Sequence, residues 1–379
     1  MPALMTPRNS VSAAFALNGV LLGCWASRIP AFVDRLELDE KSLGVLLLVM
    51  GVGALVSFPL AGRLSDSFGA VRLTRWIAAV YLLSVIFLGI AWSVPVLGVA
   101  LFIFGMSHGA MDVTMNSWAS EVERALGRSV MSSFHAMWSL GAGLGAAGGY
   151  VAATLDASTG VHFAVASVVA AVIFGPLLRV EWTSNRRAAG DDGPMFAFPK
   201  GALILVGVIA LGAGLGEGAA ADWSAVYLRD VLGAPEARAT LGYGVFSVTM
   251  VIMRLSVDPI ITRFGRVRVA RVSGLLAAVG YTLCVVTDVL PVALAGFVLM
   301  GMGYAAIVPM AFSRAANDPV VPAGQAIASV ATLGYGAMLL GPPAIGFLAH
   351  VSSLRISFIV VAGFALLIAI FARALRPPV

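Results

Sequence analysis

Residues 64–75 read LSDSFGAVRLTR, and residues 260–271 read IITRFGRVRVAR. Both stretches contain a Phe-Gly pair with Arg three residues after the glycine: Phe68, Gly69 and Arg72 in the first, Phe264, Gly265 and Arg268 in the second. The pair Gly105-Met106 recurs as Gly301-Met302 at the same offset of 196 residues. A shared offset at two separated places indicates that the chain is built from two similar halves.

The composition around these stretches is that of a membrane protein. Hydrophobic residues make up 60% of the 379 residues, charged residues make up 11%, and the mean hydropathy is +0.96. A soluble domain carries about 25% charged residues. Most of the 24 Lys and Arg residues lie in short loops, and they form no basic face, so composition excludes a soluble domain and a nucleic-acid-binding protein.

Long apolar runs predict an all-α membrane protein, because backbone polar groups in lipid must be satisfied within each spanning segment. A spanning helix needs about 20 residues. Runs of this kind predict twelve spans, at residues 11–31, 42–61, 75–92, 95–119, 130–153, 161–179, 201–228, 239–261, 270–288, 291–315, 324–349 and 354–374. The first run is interpreted as an uncleaved span, because a second span follows it at once.

The longest polar stretch, residues 181–200, separates six predicted spans from six more. It predicts an N-terminal six-helix bundle over residues 1–180, a cytoplasmic linker over 181–200 and a C-terminal six-helix bundle over 201–379. Of the 24 Lys and Arg residues, 17 lie in or beside the loops on one side, five lie on the other and two lie within spans. The positive-inside rule then predicts a multi-pass protein of the inner (plasma) membrane with both termini cytoplasmic.

The segment from Gly62 to Arg72 resembles the loop signature of the major facilitator superfamily. That signature is Gly, three residues, Asp, a basic residue, any residue, Gly and a further basic residue, and Ser67 replaces its first basic residue here. The resemblance implies twelve transmembrane helices in two six-helix pseudo-repeats, with a solute site between the halves. It also implies a gate that holds the cytoplasmic side shut, in which the matching residues are Gly62, Asp66, Gly69 and Arg72.

A carboxylate near helix N-termini is favoured by the helix dipole, which makes such a gate physically reasonable. The alternative is an ordinary tight turn with solvated charges. We expect a monomer in the lipid bilayer, with protons and a small-molecule substrate as its partners.

The fourth predicted span carries His108, Asp112 and Asn116 at a spacing of four residues, which puts them on one helix face. An acid followed four residues later by Asn resembles the fourth span of the fucose permease branch of sugar:proton symporters. The tenth span, with Tyr304 and Pro309, is also similar to that branch. Those permeases carry an acid in the first span, where this chain has Trp25 and Arg28 instead.

Asp112 is the first candidate for a proton carrier. Placing an ionisable side chain within a span costs free energy, so such residues are candidates for a function. A cavity of low dielectric constant favours the neutral form of a carboxylic acid. We expect Asp112 to face a water-filled crevice shared by the two halves; the alternative is a fixed packing pair with His108. His135 in the fifth span could relay the proton, tune the acid or simply be a satisfied interior histidine.

The seventh span supplies a second candidate proton or solute ligand, Glu217, which follows three closely spaced glycines that allow bending or close helix approach. Asp222, near Trp223, is either a ligand or a solvated gate residue. In the eighth span, Arg254 and Asp258 are expected to form a structural ion pair four residues apart.

Residues at the remaining candidate positions could bind solute directly. Arg28 could bind an anionic or hydroxylated solute or pair with Asp222, or it could anchor the helix at the membrane boundary. Four aromatic side chains could form walls for a sugar or planar ring, although single aromatics more often serve packing: Trp25, Trp138, Trp223 and Tyr304.

These features predict a proton-coupled secondary transporter of a sugar or sugar-like solute. A proton-antiport exporter of drugs or metabolites is the alternative within the same class, and a non-transporting membrane receptor is the alternative from another class. The sequence has no Gly-x4-Gly-Lys-Ser/Thr run, so ATP-driven transport is not expected. We expect no enzyme activity, cofactor or metal site.

Overall fold

The computed structural model describes residues 5–38, 40–184, 198–234, 238 and 241–377. Every regular element in these residues is helical. Twelve long helices follow in chain order: α1 Pro7–Ser27, α2 Glu40–Phe68, α3 Ala70–Gly89, α4 Val94–Leu126, α5 Met131–Thr154, α6 Thr159–Phe174, α7 Ala202–Asp230, α8 Leu241–Phe264, α9 Arg266–Val286, α10 Leu290–Ala316, α11 Ala323–Val351 and α12 Leu354–Phe371. A short helix, Ile29–Leu36, connects α1 to α2.

The described helices confirm the prediction of twelve spans. Ten of them are long and apolar enough to cross a bilayer, namely α1 to α4 and α7 to α12. Helix α6 is apolar but has 16 residues. Helix α5 has 24 residues and carries several polar side chains in its first half: Ser132, Ser133, His135 and Ser139.

Capping residues explain why the helices do not begin where hydrophobicity begins. Helix α1 starts four residues before the predicted span, because the Thr6 hydroxyl accepts a hydrogen bond from the Asn9 amide (3.2 Å) and Pro7 occupies the first turn. Ser158 caps α6 in the same way. The C-terminal ends of α2 and α4 continue about seven residues past the predicted spans, since a helix need not end at the membrane surface.

The turn between α2 and α3 is a single residue, Gly69, with φ of +89°. Its repeat equivalent, Gly265, has φ of +81° between α8 and α9. Only glycine adopts this conformation without strain. The expected gating loop is therefore mostly helix, because Gly62 and Asp66 lie in the last two turns of α2 and Arg72 lies in the first turn of α3.

The repeat extends from sequence to packing. A Cβ atom on Gly105 would lie 2.0 Å from the carbonyl oxygen of Met50, and one on Gly301 would lie 2.6 Å from the carbonyl oxygen of Phe246. The contacted residues are separated by the same 196 positions as the glycines. The repeated glycines thus let α4 approach α2, and α10 approach α8, backbone to backbone.

The chain divides into two compact units. The first unit comprises Met1–Gly127, Phe134–Ala197 and Val321–Ala328, and the second comprises Arg128–Ser133, Phe198–Val320 and Ser329–Val379. Each unit therefore includes a short segment from the other half of the sequence: the start of α11 in the first and the start of α5 in the second. Residues 185–197 of the predicted linker lie outside the described residues.

Helix α10 is interrupted between Tyr304 and Ile307. Pro309 follows the interruption, and a proline has no N–H to donate to the carbonyl oxygen four residues earlier, that of Ala305. The break lies at the position of the candidate aromatic Tyr304.

Candidate functional site

A chain of buried polar side chains crosses from α4 to α5 in the first unit. The Asn116 amide nitrogen donates to Asp112 Oδ1 (3.3 Å) and to the Asp112 carbonyl oxygen (2.8 Å). The Asn116 amide oxygen lies 3.1 Å from His135 Nε2. Because an amide oxygen only accepts, Nε2 is the protonated ring nitrogen in this contact. The structure thus brings three of the predicted residues together.

This polar chain is shielded from solvent. Asp112 is 4% exposed and Asn116 is 0% exposed. Asp112 is therefore buried in this conformation, and its facing a water-filled crevice stays a prediction. The carboxyl, the amide and the imidazole thus form one connected buried network, in which a change at one member affects the others.

The other candidates of this unit make separate contacts. His108 Nδ1 lies 3.0 Å from the hydroxyl of Tyr81 on α3. Trp138 is half-buried, and its Nε1 donates to the side-chain oxygen of Asn18 on α1 (3.3 Å). Sequence reasoning missed Asn18, although a lone amide within the apolar run 11–31 is a signal that could have identified it.

Trp25 and Arg28 are both buried near the end of α1. Trp25 packs against Phe32 and Phe104, with ring centroids 5.2 and 6.4 Å apart. Arg28 Nη2 donates to the carbonyl oxygen of Ala157 (2.8 Å). Trp25 therefore serves packing in this conformation. Arg28 has a main-chain partner, and Asp222 is not that partner.

The second unit contains a buried ion pair between α7 and α8. Arg254 Nη2 donates to Glu217 Oε2 at 3.2 Å, and the two side chains are 7% and 17% exposed. Glu217 Oε1 is buried without a hydrogen-bond partner among the described residues. Arg254 was expected to pair with Asp258 on its own helix, and its contact with Glu217 could not be read from spacing along one helix.

Two tyrosines surround the main chain beside Glu217. The Tyr281 hydroxyl donates to the carbonyl oxygen of Gly216 (2.7 Å). Tyr304 is fully buried, and a Cβ atom on Gly216 would lie 2.1 Å from its hydroxyl oxygen, which has no partner in the described part of the chain. The glycine is therefore needed for Tyr304 to lie against α7.

Asp222 and Trp223 lie further along α7. The Asp222 side chain is exposed, as the solvated alternative predicts, and Trp223 is half-buried. The Trp223 ring lies against α11, where a Cβ atom on Gly346 would meet it at 3.1 Å. The structure does not bring these two residues into the Glu217–Arg254 contact.

The last turns of α2 contact the first turn of α11 within the first unit. Asp66 Oδ1 accepts from the Gly324 amide (2.9 Å), and Oδ2 accepts from the Gln325 amide (3.2 Å). A Cβ atom on Gly62 would lie 2.7 Å from the Gly324 carbonyl oxygen, so only glycine allows this approach. Arg72 is exposed, and its guanidinium lies 5.4 Å from the ring centre of Trp76.

Sequence reasoning missed an equivalent contact in the second unit. Asp258 Oδ1 accepts from the Ser132 amide (3.2 Å), and Oδ2 accepts from the Ser133 amide (2.9 Å), at the start of α5. An acid near the end of α8 thus caps α5 as Asp66 caps α11. The repeat offset of 196 residues could have directed attention to this part of α8, although it aligns Asp258 with Gly62 and not with Asp66.

Comparison with protein families decides the identity of this architecture. The model of the Major Facilitator Superfamily matches residues 2–146 and 206–379, which together are most of the chain. The chain belongs to the major facilitator superfamily. As a member of this superfamily it is a multi-pass membrane transporter, and the fold predicted from the repeat is confirmed.

Relatives of this superfamily member support the same assignment. A protein of Sinorhizobium fredii, named only as an uncharacterized transporter, is 55% identical over 376 residues, covering 99% of this chain and 100% of the relative.

Solved structures share the fold at low sequence identity. The structure of the E. coli fucose:proton symporter has a TM-score of 0.80 at 14% identity, covering 98% of this chain and 99% of that one. A proton:xylose symporter has a TM-score of 0.77 at 15% identity, covering 96% and 94%.

Proposed function

We propose that this superfamily member carries a small polar solute, a sugar or a sugar-like compound, together with protons, by alternating access of its two units. The observation that carries the proposal is the buried chain Asp112–Asn116–His135 in the first unit. The sugar class draws on the two symporters that share the fold.

The coupling follows from hydrogen-bond chemistry. When Asp112 is ionised, it holds the Asn116 amide through a charge-assisted bond, which is stronger than a neutral one. A proton on Asp112 removes the charge and weakens that bond. The Asn116 amide then becomes available to a hydroxyl group of the solute, so proton binding and solute binding favour each other.

Glu217 is the second proton site in this proposal. While Glu217 is ionised, its negative charge compensates the buried Arg254 cation. Protonation of Glu217 frees Arg254 to donate to a solute oxygen, and the break in α10 beside Tyr304 gives this part of the second unit a place to bend.

The helix-capping contacts of Asp66 and Asp258 are the proposed gate contacts. Each consists of two hydrogen bonds to main-chain amides. Such contacts are strong enough to stabilise one conformation and weak enough to break in each transport cycle. The excess of Lys and Arg in alternate loops puts them at the cytoplasmic side of the inner membrane in this proposal.

The test measures proton uptake into proteoliposomes that contain a pH-sensitive dye. One hexose or pentose at a time is added outside the vesicles. We expect at least one sugar to drive proton entry in the wild type, and the Asp112→Asn variant to exchange that sugar without moving protons. The matched control is Asp156→Asn, because Asp156 is exposed and its positive φ of 52° suits Asn. Unchanged proton-driven accumulation in Asp112→Asn would remove Asp112 from the mechanism.

The same vesicles separate the alternatives. Proton release in exchange for solute indicates an antiporter, which corresponds to an exporter. Binding of a sugar without any flux in either direction indicates a receptor.

A further inference from the structure

A second polar site lies in the first unit where α1 ends and α6 begins. It contains Arg28 and His162, which are 6% and 7% exposed. Neither belongs to the chain that links Asp112 to His135. A guanidinium group and an imidazole buried to this extent need hydrogen-bond partners, because burial removes the water that would otherwise satisfy them.

Arg28 is only partly satisfied. Its Nη2 donates to the carbonyl oxygen of Ala157 at 2.8 Å, and its Nη1 is buried with no hydrogen-bond partner among the described residues. No carboxylate in the described part of the chain forms an ion pair with Arg28, and the two acids nearest in sequence to this site, Asp34 and Asp156, have exposed side chains. The buried cation therefore lacks a counter-charge among the residues that the structure describes.

His162 is unsatisfied on both sides of its ring. Nδ1 and Nε2 are both buried, and neither has a partner in the residues that the structure describes. A neutral imidazole carries one donor and one acceptor nitrogen, so at least one N–H group here has nothing to donate to.

The side chains of Ser27 and His162 lie against the same residue of α5, Gly149. A Cβ atom on Gly149 would lie 1.9 Å from the hydroxyl oxygen of Ser27, the neighbour of Arg28, and 3.5 Å from Cε1 of His162. Arg28 Nη2 donates to the carbonyl oxygen of Ala157, which lies five residues before His162 in the chain. Phe163 covers the other side, with its ring centre 5.2 Å from that of His162.

Arg35, at the same end of the first unit, shows what an arginine with both terminal nitrogens hydrogen-bonded looks like beside Arg28. Its Nη1 donates to the Thr159 hydroxyl (2.7 Å), and its Nη2 donates to the carbonyl oxygen of Ala91 (2.6 Å). Both terminal nitrogens of Arg35 thus donate to protein oxygens, whereas Arg28 Nη1 has no partner among the described residues.

We propose that Arg28 and His162 bind a small monovalent anion, either a halide ion or the carboxylate of a small organic acid. Arg28 Nη1 and the N–H group of His162 would donate to it, and the anion would supply the missing counter-charge. The site is separate from the proposed proton and sugar residues, so it does not depend on the proposed function.

The first experiment measures thermal unfolding of the purified full-length protein at constant ionic strength, with isethionate replaced stepwise by bromide or by acetate. We expect a saturable rise of the unfolding midpoint, because a ligand that binds only the folded state stabilises it. Saturation by bromide identifies a halide site, and saturation by acetate alone identifies a carboxylate site.

Three variants locate the effect. Arg28→Gln and His162→Leu should each weaken the apparent anion affinity at least tenfold. Arg35→Gln removes the same charge at the same end of the unit and should leave the affinity unchanged. A midpoint that does not depend on the anion in the wild type, or an unchanged affinity in Arg28→Gln, would overturn the proposal.

A second measurement needs no variant, which matters if Arg28→Gln does not fold. Crystals of the wild-type protein soaked in bromide should give an anomalous peak within hydrogen-bond distance of Arg28 Nη1. Crystals soaked in acetate should give carboxylate density there if the site takes a carboxylate. Water alone at this position in both crystals would overturn the proposal.

Discussion

At the scale of single residues, Gly62 and Gly69 show two different reasons for a glycine in one short segment. Gly69 has a positive φ, so its role is conformational. Gly62 is helical, and its role is steric, since a Cβ atom there would meet the Gly324 carbonyl oxygen at 2.7 Å. The same signature thus depends on main-chain freedom at one position and on close approach at the other.

Gly62→Ala is expected to destabilise the protein by about 1–3 kcal/mol, because the added methyl group must displace the main chain of α11. The measurement is thermal unfolding in detergent. Gly143→Ala on α5 is the matched control, because a Cβ atom there meets nothing within 4 Å. Alanine in that helix should be neutral or stabilising by up to about 1 kcal/mol. Equal effects of the two substitutions would contradict the steric role.

The Glu217–Arg254 pair gives a second prediction at this scale. Glu217→Gln and Arg254→Gln should each lower stability by about 3 kcal/mol, because each removes one member of a buried ion pair. The double variant should be more stable than the sum of the single effects predicts. Chemical unfolding of the four proteins measures the coupling, and strictly additive effects would show that the two charges act independently.

Sequence reasoning was most successful where residues lie on one helix. The i, i+4 spacing of Asp112 and Asn116 predicted a shared face, and their side chains do contact each other. It was least successful where a partner lies on another helix. Neither the pairing of Arg254 with Glu217 nor the Tyr304 contact with Gly216 leaves a periodic signal, because both depend on tertiary packing.

At the scale of elements, the capping of α5 and α11 by acids from α8 and α2 connects helix ends that are far apart in sequence. Each acid uses both carboxylate oxygens on two amides of a first helical turn. Hydropathy located α2 and α8, but it could not reveal these contacts, because the acids lie beyond the predicted end of α2 and within the apolar run of α8.

Asp66→Asn and Asp258→Asn are each expected to lower stability by about 1 kcal/mol, since an amide loses the charge and one acceptor of the carboxylate. Hydrogen exchange measured by mass spectrometry should become faster at Gly324 and Gln325 in the first variant, and at Ser132 and Ser133 in the second. Asp230→Asn is the control, because Asp230 is exposed and pairs with its neighbour Arg229. Faster exchange throughout the chain would indicate global destabilisation instead.

At the scale of the whole molecule, the two units share one construction but differ in chemistry. The first unit holds a carboxyl, an amide and an imidazole in a hydrogen-bonded chain, and the second holds an acid paired with a guanidinium. The repeated glycines explain the common backbone packing. Sequence predicted the repeat through its offset, and it could not predict the division of chemistry between the units.

The main-chain contacts at Gly105 and Gly301 have a consequence for permeability. Since no side chain separates α4 from α2 at Gly105, or α10 from α8 at Gly301, neither a water molecule nor an acyl chain fits between these backbones. The contact between the helices of each pair involves no side chain, so it does not change when side chains adopt other rotamers. Replacing Gly105 or Gly301 by a larger residue should therefore force the two helices of that pair apart and lower the midpoint of thermal unfolding.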